Sequence, residues 1–301
     1  MRPDGAVTLS TRVKAHVALT KPRIVELLLA TAIPTAFLAA DGLPPLVPTL
    51  GVLIGGSLAA GAANTFNSVY DRDIDAVMRR TFHRPAAMGV VSVRAGIWQG
   101  VLLTLASAVV LLVTANPLSA LLAILAIAFY AVGYTMLLKR RTPQNIVWGG
   151  AAGCMPVLIA WAAITGSLTW APVVLFLIVF FWTPPHYWPL AMRFRDDYAA
   201  AGVPMLPVVR SDKQVAGSIL RYSWAMVATS LVLIPVAPMG WVYGIGAVVL
   251  GAAFLGQAYL LRSHIGSGAS DVTSIAMRLF HGSITYLALL FLLVALNPFV
   301  P

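Results

Sequence analysis

Cysteine and charge are what this 301-residue sequence has least of. Its single cysteine, Cys154, sits inside an apolar run, which excludes a disulfide framework and any zinc site built on thiolates. Charged residues are 10% of the chain against 59% hydrophobic ones, and the mean hydropathy is +0.87. A soluble domain carries about 25% charged residues, so a soluble fold of this length lacks the polar surface to cover itself. The 20 Lys and Arg against 10 Asp and Glu, a formal charge of +10, raise the question of nucleic acid. No nucleic-acid partner is expected, because the basic residues stand at the ends of apolar segments, as in an integral membrane protein.

A helix crosses the hydrocarbon core with about 20 mostly apolar residues. Nine such segments are predicted, at roughly 24–41, 46–66, 95–115, 118–138, 145–165, 170–191, 217–238, 240–261 and 279–298. The fold class is therefore all-α, a polytopic bundle of nine transmembrane helices forming one domain over 1–301, with 1–22 as a cytoplasmic N-terminal segment. Gly166-Ser167 and Pro238-Met239-Gly240 mark two of the turns. Loops after spans one, three, five and seven hold no Lys or Arg. All 20 basic residues fall in the N-terminal segment or in or close to the other loops. The positive-inside rule then places the N-terminus and the loops after spans two, four, six and eight in the cytoplasm of a bacterial-type inner membrane, with Pro301 outside. Residues 1–22 do not read as a signal peptide, since the basic region is too long and Glu26 interrupts the apolar stretch early.

The acids point to one face. Asp41 alone lies on the outer side, Asp4 is in the tail and Glu26 is at the first span; the other seven sit in or beside the cytoplasmic loops, five of them in two clusters. In the first cluster, the second span is expected to run on as helix to about Met78. That places Asn67, Asp71 and Asp75 at i, i+4 and i+8 on one face, with Asp73 on another side and Asn64 extending the stripe toward the membrane. Two carboxylates about 6 Å apart repel by roughly 3 kcal/mol at an effective dielectric near 20, so such a stripe calls for a cation. Oxygen ligands suit Mg²⁺, which binds through one or two carboxylates together with substrate phosphates. Arg72, Arg79, Arg80 and Arg84 are close enough in sequence to hold the rest of a diphosphate. The alternative is a snorkelling helix end in which Asp and Arg pair at the interface. It explains the mixed charges but not the single-faced stripe.

The second cluster, Asp196 and Asp197, follows the sixth span; adjacent carboxylates point to different sides of a helix and make a weaker metal signal. Its place four spans after the first suggests an architectural repeat bringing both loops over one central cavity. Asp212 fits a capping box, Ser211 to Gln214, and Asp271 a similar helix start. His186, beside Pro184, Pro185, Tyr187 and Trp188, reads as a polar cavity contact, a transient ligand to a metalloporphyrin, or an interfacial residue of the aromatic belt. His281 reads as interfacial; His16, His83 and His264 carry no specific signal. Lys139, Arg140 and Arg141 fix topology, and Lys139 could also reach a phosphate. Asn145 is a helix start with a polar role, and Cys154 packs.

These residues resemble the UbiA superfamily of membrane prenyltransferases, through Asn67-x3-Asp71-x3-Asp75 and the run Tyr70-Asp-Arg-Asp-Ile-Asp75 with Arg79-Arg-Thr81 and Arg84-Pro85. Leu19 to Val25, Leu138 to Val147, Thr183-Pro-Pro-His186, Asp196-Asp-Tyr198 and Ala201 to Val209 extend the similarity, over about residues 15–290. Within the superfamily, Thr183-Pro-Pro-His186 and Gly202-Val-Pro-Met-Leu-Pro207 are similar to the haem-farnesylating branch. The resemblance implies a helical bundle around a cavity capped by the two cytoplasmic loops. It implies farnesyl diphosphate held on Mg²⁺ by Asn67, Asp71 and Asp75, transfer of its farnesyl group to a vinyl group of haem b, and Asp196 and Asp197 orienting metal, water or the loop. It also implies substrate contacts from Lys21, Arg23, Arg72, Arg79, Arg80, Arg84, Lys139, Asn145, His186 and Tyr198. Membrane lipid, a haem A synthase and oxidase assembly factors are the further partners it suggests. Two departures stand out. Quinone-type relatives carry a second Asp-x3-Asp, whereas Arg193 stands four residues before Asp197, which disfavours an aromatic-acid acceptor; Glu26 replaces an expected neutral residue. Prenyl transfer to a quinone precursor or chlorophyllide is the nearest rival. A CDP-alcohol phosphotransferase lacks its Asp-Gly and Ala-Arg elements here, and a transporter would place ionisable residues at mid-membrane.

Overall fold

The computed structural model describes residues 8–267 and 271–300; Asp4 and Pro301, both assigned to a side of the membrane above, lie outside them. Among the described residues the chain is helical throughout. A short helix α1 (Leu9–Leu19) precedes the spans α2 (Pro22–Ala39) and α3 (Leu46–Tyr70), and the one-turn-plus helix α4 (Arg72–Val77) follows. Then come α5 (Val93–Thr114), α6 (Pro117–Ala128), α7 (Asn145–Thr165), α8 (Trp170–Arg193), α9 (Arg195–Ala200), α10 (Leu206–Val209), α11 (Asp212–Val236), α12 (Trp241–Gly266) and α13 (Val272–Leu296). Nine of these helices, counting α6 with its continuation to Leu138, are long and apolar enough to cross a membrane, and each overlaps one of the nine predicted segments. The chain is an integral membrane protein.

Local chemistry sets the boundaries. Ser92 caps α5 by accepting from the Ala95 amide at 3.2 Å, and Asn116 caps α6 by accepting from Ser119 at 2.9 Å, with Pro117 in the first turn. Gly166, at φ +70, ends α7 in the left-handed conformation that only glycine adopts without strain. Helix α8 runs through Pro184, Pro185 and Pro189, as membrane helices permit where neighbours satisfy the freed carbonyls.

Four expectations are corrected. Helix α3 stops at Tyr70 and the stripe continues through Asp71 into the separate α4, which ends at Val77. The Asn67 carbonyl still accepts from Asp71 N–H (2.9 Å) and the Asp71 carbonyl from Asp75 N–H (2.8 Å), so Asp71 is held by both helices. Helices α11 and α13 start five and seven residues earlier than hydropathy indicated, because their first turns are polar and lie beyond the apolar window. The N-terminal segment contains α1, whose Ala15 and Leu19 are buried while Leu9, Val13 and Val17 are exposed. Asp271 stands at the N-cap of α13 without a side-chain capping bond, whereas Gln214 does accept from the Ser211 amide at 3.2 Å.

Packing orders the spans around a central space. Helix α3 lies along α5, with Gly100 and Phe66 in close approach; α7 and α11 flank α8; α13 closes the bundle against α2. The larger core joins Leu175 and Ile178 of α8, Ile219 and Met226 of α11, Phe254 of α12 and Phe291 of α13. Outward, α5 exposes Leu102, Leu105, Val109 and Val113, an apolar face of the kind a membrane accommodates. Ion pairs and hydrogen bonds bring the loops after α3, α6 and α8 together at one end. At the other, Asn297 accepts from Gly240 N–H (2.8 Å) and Asn116 donates to the Ala162 carbonyl (2.6 Å).

Candidate active site

The stripe resides where α3 meets α4. Asn67 Nδ2 donates to Asp71 Oδ2 at 2.7 Å, so the i, i+4 spacing does put both side chains on one face. All three stripe residues are buried. Each carboxylate is answered by a base from elsewhere in the chain: Lys139 donates to Asp71 Oδ2, and Arg84 Nη1 reaches both oxygens of Asp75 at 2.9 and 2.8 Å. Lys21 Nζ donates to Asn67 Oδ1 at 2.6 Å. Arg140 instead grips Asp73 with two bonds of 2.7 Å, on the exposed side, and holds its carboxyl down to about 2.

Asn67, Asp75, Lys21, Arg84 and Lys139 help to wall a cavity of about 380 Å³, whereas Asp71, Asp73 and Arg140 do not line it. Asn67, Asp75 and four cations (Lys21, Arg80, Arg84 and Lys139) line it at the loop end, with Tyr130, Tyr134, Tyr187 and Tyr198 around them and Trp182 and His186 deeper in. Burial, with Arg84 and then Lys139 nearby, lowers the Lys21 ammonium to about 7. The cations therefore outnumber the carboxylates around the opening, and an anion of high charge would relieve them.

The wall beside the stripe owes its aim to an unusual backbone. Helix α6 continues from Phe129 to Leu138 as a π-helix, and the Lys139 amide bonds back to the Tyr134 carbonyl (2.8 Å). Such turns are rare and gather at functional sites. Here the widened turns bring Tyr130, Tyr134 and Thr135 to the site, and Thr135 Oγ1 accepts from Asn67 Nδ2 at 3.1 Å.

His186 is stacked between Trp182 (4.2 Å, 14°) and Phe280 (4.8 Å, 26°), and its Nδ1 lies 2.8 Å from Ser283 Oγ. The same hydroxyl stands 2.6 Å from the Phe280 carbonyl, which can only accept. With the Ser283 hydrogen on that carbonyl, Nδ1 carries the ring proton and Nε2 the lone pair. Tyr198 Oη is 2.7 Å from Tyr187 Oη, and burial holds the Tyr198 phenol well above its usual range.

Other candidates stand apart from the cavity. Arg23, Arg72 and Arg79 are exposed and line none of it; Arg72 donates to the Val69 carbonyl at 3.1 Å. Asp196 is exposed and off the cavity, and Asp197 accepts from the Arg80 amide at 3.4 Å without lining it. This contact, and Arg80 to Tyr198 Oη at 3.4 Å, join the two loops, but the structure does not bring the Asp196 and Asp197 carboxylates to the stripe. Asn145 is fully buried and donates to the Lys139 carbonyl at 3.0 Å, so it steadies the segment carrying that lysine. Sequence reasoning missed Tyr130, Tyr134, Thr135, Tyr187 and Ser283. The i, i+4 tyrosines ahead of Lys139 were a usable signal; Ser283, distant in sequence, left none.

The site suits a hard cation. Its donors are all oxygen, and the fully buried Asp71 Oδ1 accepts no hydrogen bond among the described residues, with Arg140 Nη2 standing 3.6 Å away as an ion-pair partner. No group of three or more His, Cys, Asp or Glu forms there among the described residues, so a metal would complete its shell with substrate oxygens or water.

A membrane helical bundle with this oxygen-and-cation cavity matches the model of the UbiA prenyltransferase family over residues 28–284, and the chain belongs to that family: it is a membrane prenyltransferase. A protein named protoheme IX farnesyltransferase from Streptomyces avermitilis is 53% identical over 299 residues, covering 99% of this chain and 96% of its own length. Another of the same name from Leifsonia xyli subsp. xyli is 52% identical over 301 residues, covering 100% and 97%. Among solved structures, digeranylgeranylglyceryl phosphate synthase superposes with a TM-score of 0.75 at 15% identity over 95% of this chain and 98% of its own. A UbiA homologue from Archaeoglobus fulgidus, bound to GPP and Mg²⁺, superposes with a TM-score of 0.64 at 19% identity over 93% and 99%. At those identities the likeness is one of fold.

Proposed function

We propose that this enzyme transfers a farnesyl group from farnesyl diphosphate to a vinyl group of haem b, with water completing a hydroxyethylfarnesyl side chain and diphosphate leaving. The observation that carries the reading is the full-length identity with the protoheme IX farnesyltransferases, joined to a cavity that matches both halves of a prenyl diphosphate. Its charged end faces the diphosphate. A second, apolar pocket of about 130 Å³ shares Ile24, Leu28, Tyr130 and Gly153 with it and extends along α2, α3 and α7, as an isoprenoid tail requires.

Breaking the allylic C–O bond leaves negative charge on diphosphate, and groups aimed at that charge in a dry site supply most of the acceleration. Mg²⁺, when held by Asn67, Asp71 and Asp75, supplies charge neutralisation on the leaving oxygens. Lys21, Arg80, Arg84 and Lys139 bind the remaining oxygens; Lys21 and Lys139 exchange their present partners, Asn67 and Asp71, for phosphate. Tyr130, where the charged and apolar cavities meet, offers its ring to the allylic cation. His186, locked by Ser283 and its two flanking rings, presents Nε2 to the porphyrin acceptor. The N-terminus and the loops after α3, α6, α8 and α12 face the cytoplasm in this reading, and the C-terminus faces outward, supported by the confinement of Lys and Arg to that end.

The test is a comparison of acceptors. Purified protein given farnesyl diphosphate and Mg²⁺ should release diphosphate with haem b and not with a quinone precursor. The reverse would retain prenyl transfer and move the acceptor.

A further inference from the structure

A second cavity, of about 490 Å³, lies at the same end of the bundle as the active site but shares none of its lining. The short helix α10 is the partition: Met205, just before it, faces the active cavity, and Leu206 faces the second one. Arg210, Arg221 and Arg262 line this second space, with Gln144, Gln214 and Ser218 between them. Ser218 Oγ accepts from Arg221 Nη2 at 3.1 Å. None of the three arginines makes an ion pair among the described residues; Asp212, at the head of α11, is already engaged by Arg195. Three guanidinium groups converge here with polar side chains and no carboxylate.

The depth of the pocket identifies its ligand class. One turn from Arg221 on α11 stands Trp224, and one turn from Arg262 on α12 stands Tyr259; Trp224 Nε1 donates to Tyr259 Oη at 3.1 Å. Both rings are half exposed. Amphipathic rings of this kind settle at the membrane–water interface, which puts the three arginines one turn further out, at the level of phospholipid headgroups. Guanidinium groups bind phosphate through paired hydrogen bonds, and basic pockets between membrane helices hold anionic headgroups.

We propose that this pocket binds the phosphate of an anionic phospholipid, outside the active cavity and independently of the acceptor used there. The bound headgroup braces α10, the thin wall between the two cavities, against α7, α11 and α12.

The test is native mass spectrometry on delipidated, detergent-purified full chain, titrated with phosphatidylglycerol or with phosphatidylcholine of the same acyl chains. Wild type should retain phosphatidylglycerol about tenfold or more over phosphatidylcholine. The Arg221→Gln/Arg262→Gln variant should lose that preference, while Arg221→Lys/Arg262→Lys keeps most of it and shows that folding is intact. An unchanged preference in the Gln variant would overturn the site. Displacement of phosphatidylglycerol from wild type by millimolar inorganic phosphate would show that a free anion is the ligand and overturn the lipid assignment.

Discussion

Lys21 Nζ donates to Asn67 Oδ1 at 2.6 Å, tying the residue that caps α2 to the last turn of α3 and so to the head of the aspartate stripe. Lys21 holds φ 51, a left-handed conformation uncommon for a side-chain-bearing residue, and it lines the cavity. Lys21→Met should lower turnover with farnesyl diphosphate by about 100-fold, the usual cost of removing one donor to developing negative charge. Single-turnover diphosphate release would measure it. A loss below threefold would mean that Lys21 serves only the fold.

Asp73 and Asp71 are two residues apart and should behave oppositely. Asp73 faces outward on Arg140 and its carboxyl is held at about 2, below the usual carboxylate value. A depressed value means it stays ionised above that point and its pairing is lost only as pH falls toward 2. Asp73→Asn should therefore give an activity–pH profile superimposable on wild type from pH 5 to 9, with a rate within about threefold, since an exposed ion pair contributes little.

Gly56 lines the apolar pocket, and a Cβ built there meets nothing within 4 Å. Gly56→Leu should fill that space without disturbing α3. The ratio of kcat/KM for farnesyl over geranyl diphosphate should fall about tenfold or more, within the range one hydrophobic group commands. An unchanged ratio would place the tail elsewhere.

Ser283→Ala removes the hydroxyl that holds His186 Nδ1 at 2.8 Å. KM for haem b should rise about tenfold while KM for farnesyl diphosphate stays put; a loss of one hydrogen bond to a buried ring has that scale. Equal rises in both would mark a packing defect instead.

The nine spans were legible because a membrane helix announces itself by length and apolarity alone, and the absence of Lys and Arg from alternate loops carried the count. The Asn67–Asp71 face was legible because i, i+4 geometry is local. What spacing could not show is that Lys21, Arg84 and Lys139 converge on the stripe, since those contacts are set by helix packing. The π-helix from Phe129 to Leu138 leaves no compositional mark, and it is what turns Thr135 toward Asn67. Asp196 and Asp197 lie off the cavity, Asp196 exposed on α9 and Asp197 accepting from the Arg80 amide, a placement that their adjacency in sequence does not show.

The most direct test of the stripe as the catalytic centre is the porphyrin mass after incubation of purified protein with haem b, farnesyl diphosphate and Mg²⁺. Wild type should add the mass of farnesyl plus hydroxyl, the second hydrogen of water leaving as a proton. Asp71→Asn, and wild type in EDTA, should fall by about 1,000-fold or more. Farnesylated haem from Asp71→Asn at the wild-type rate would contradict the account.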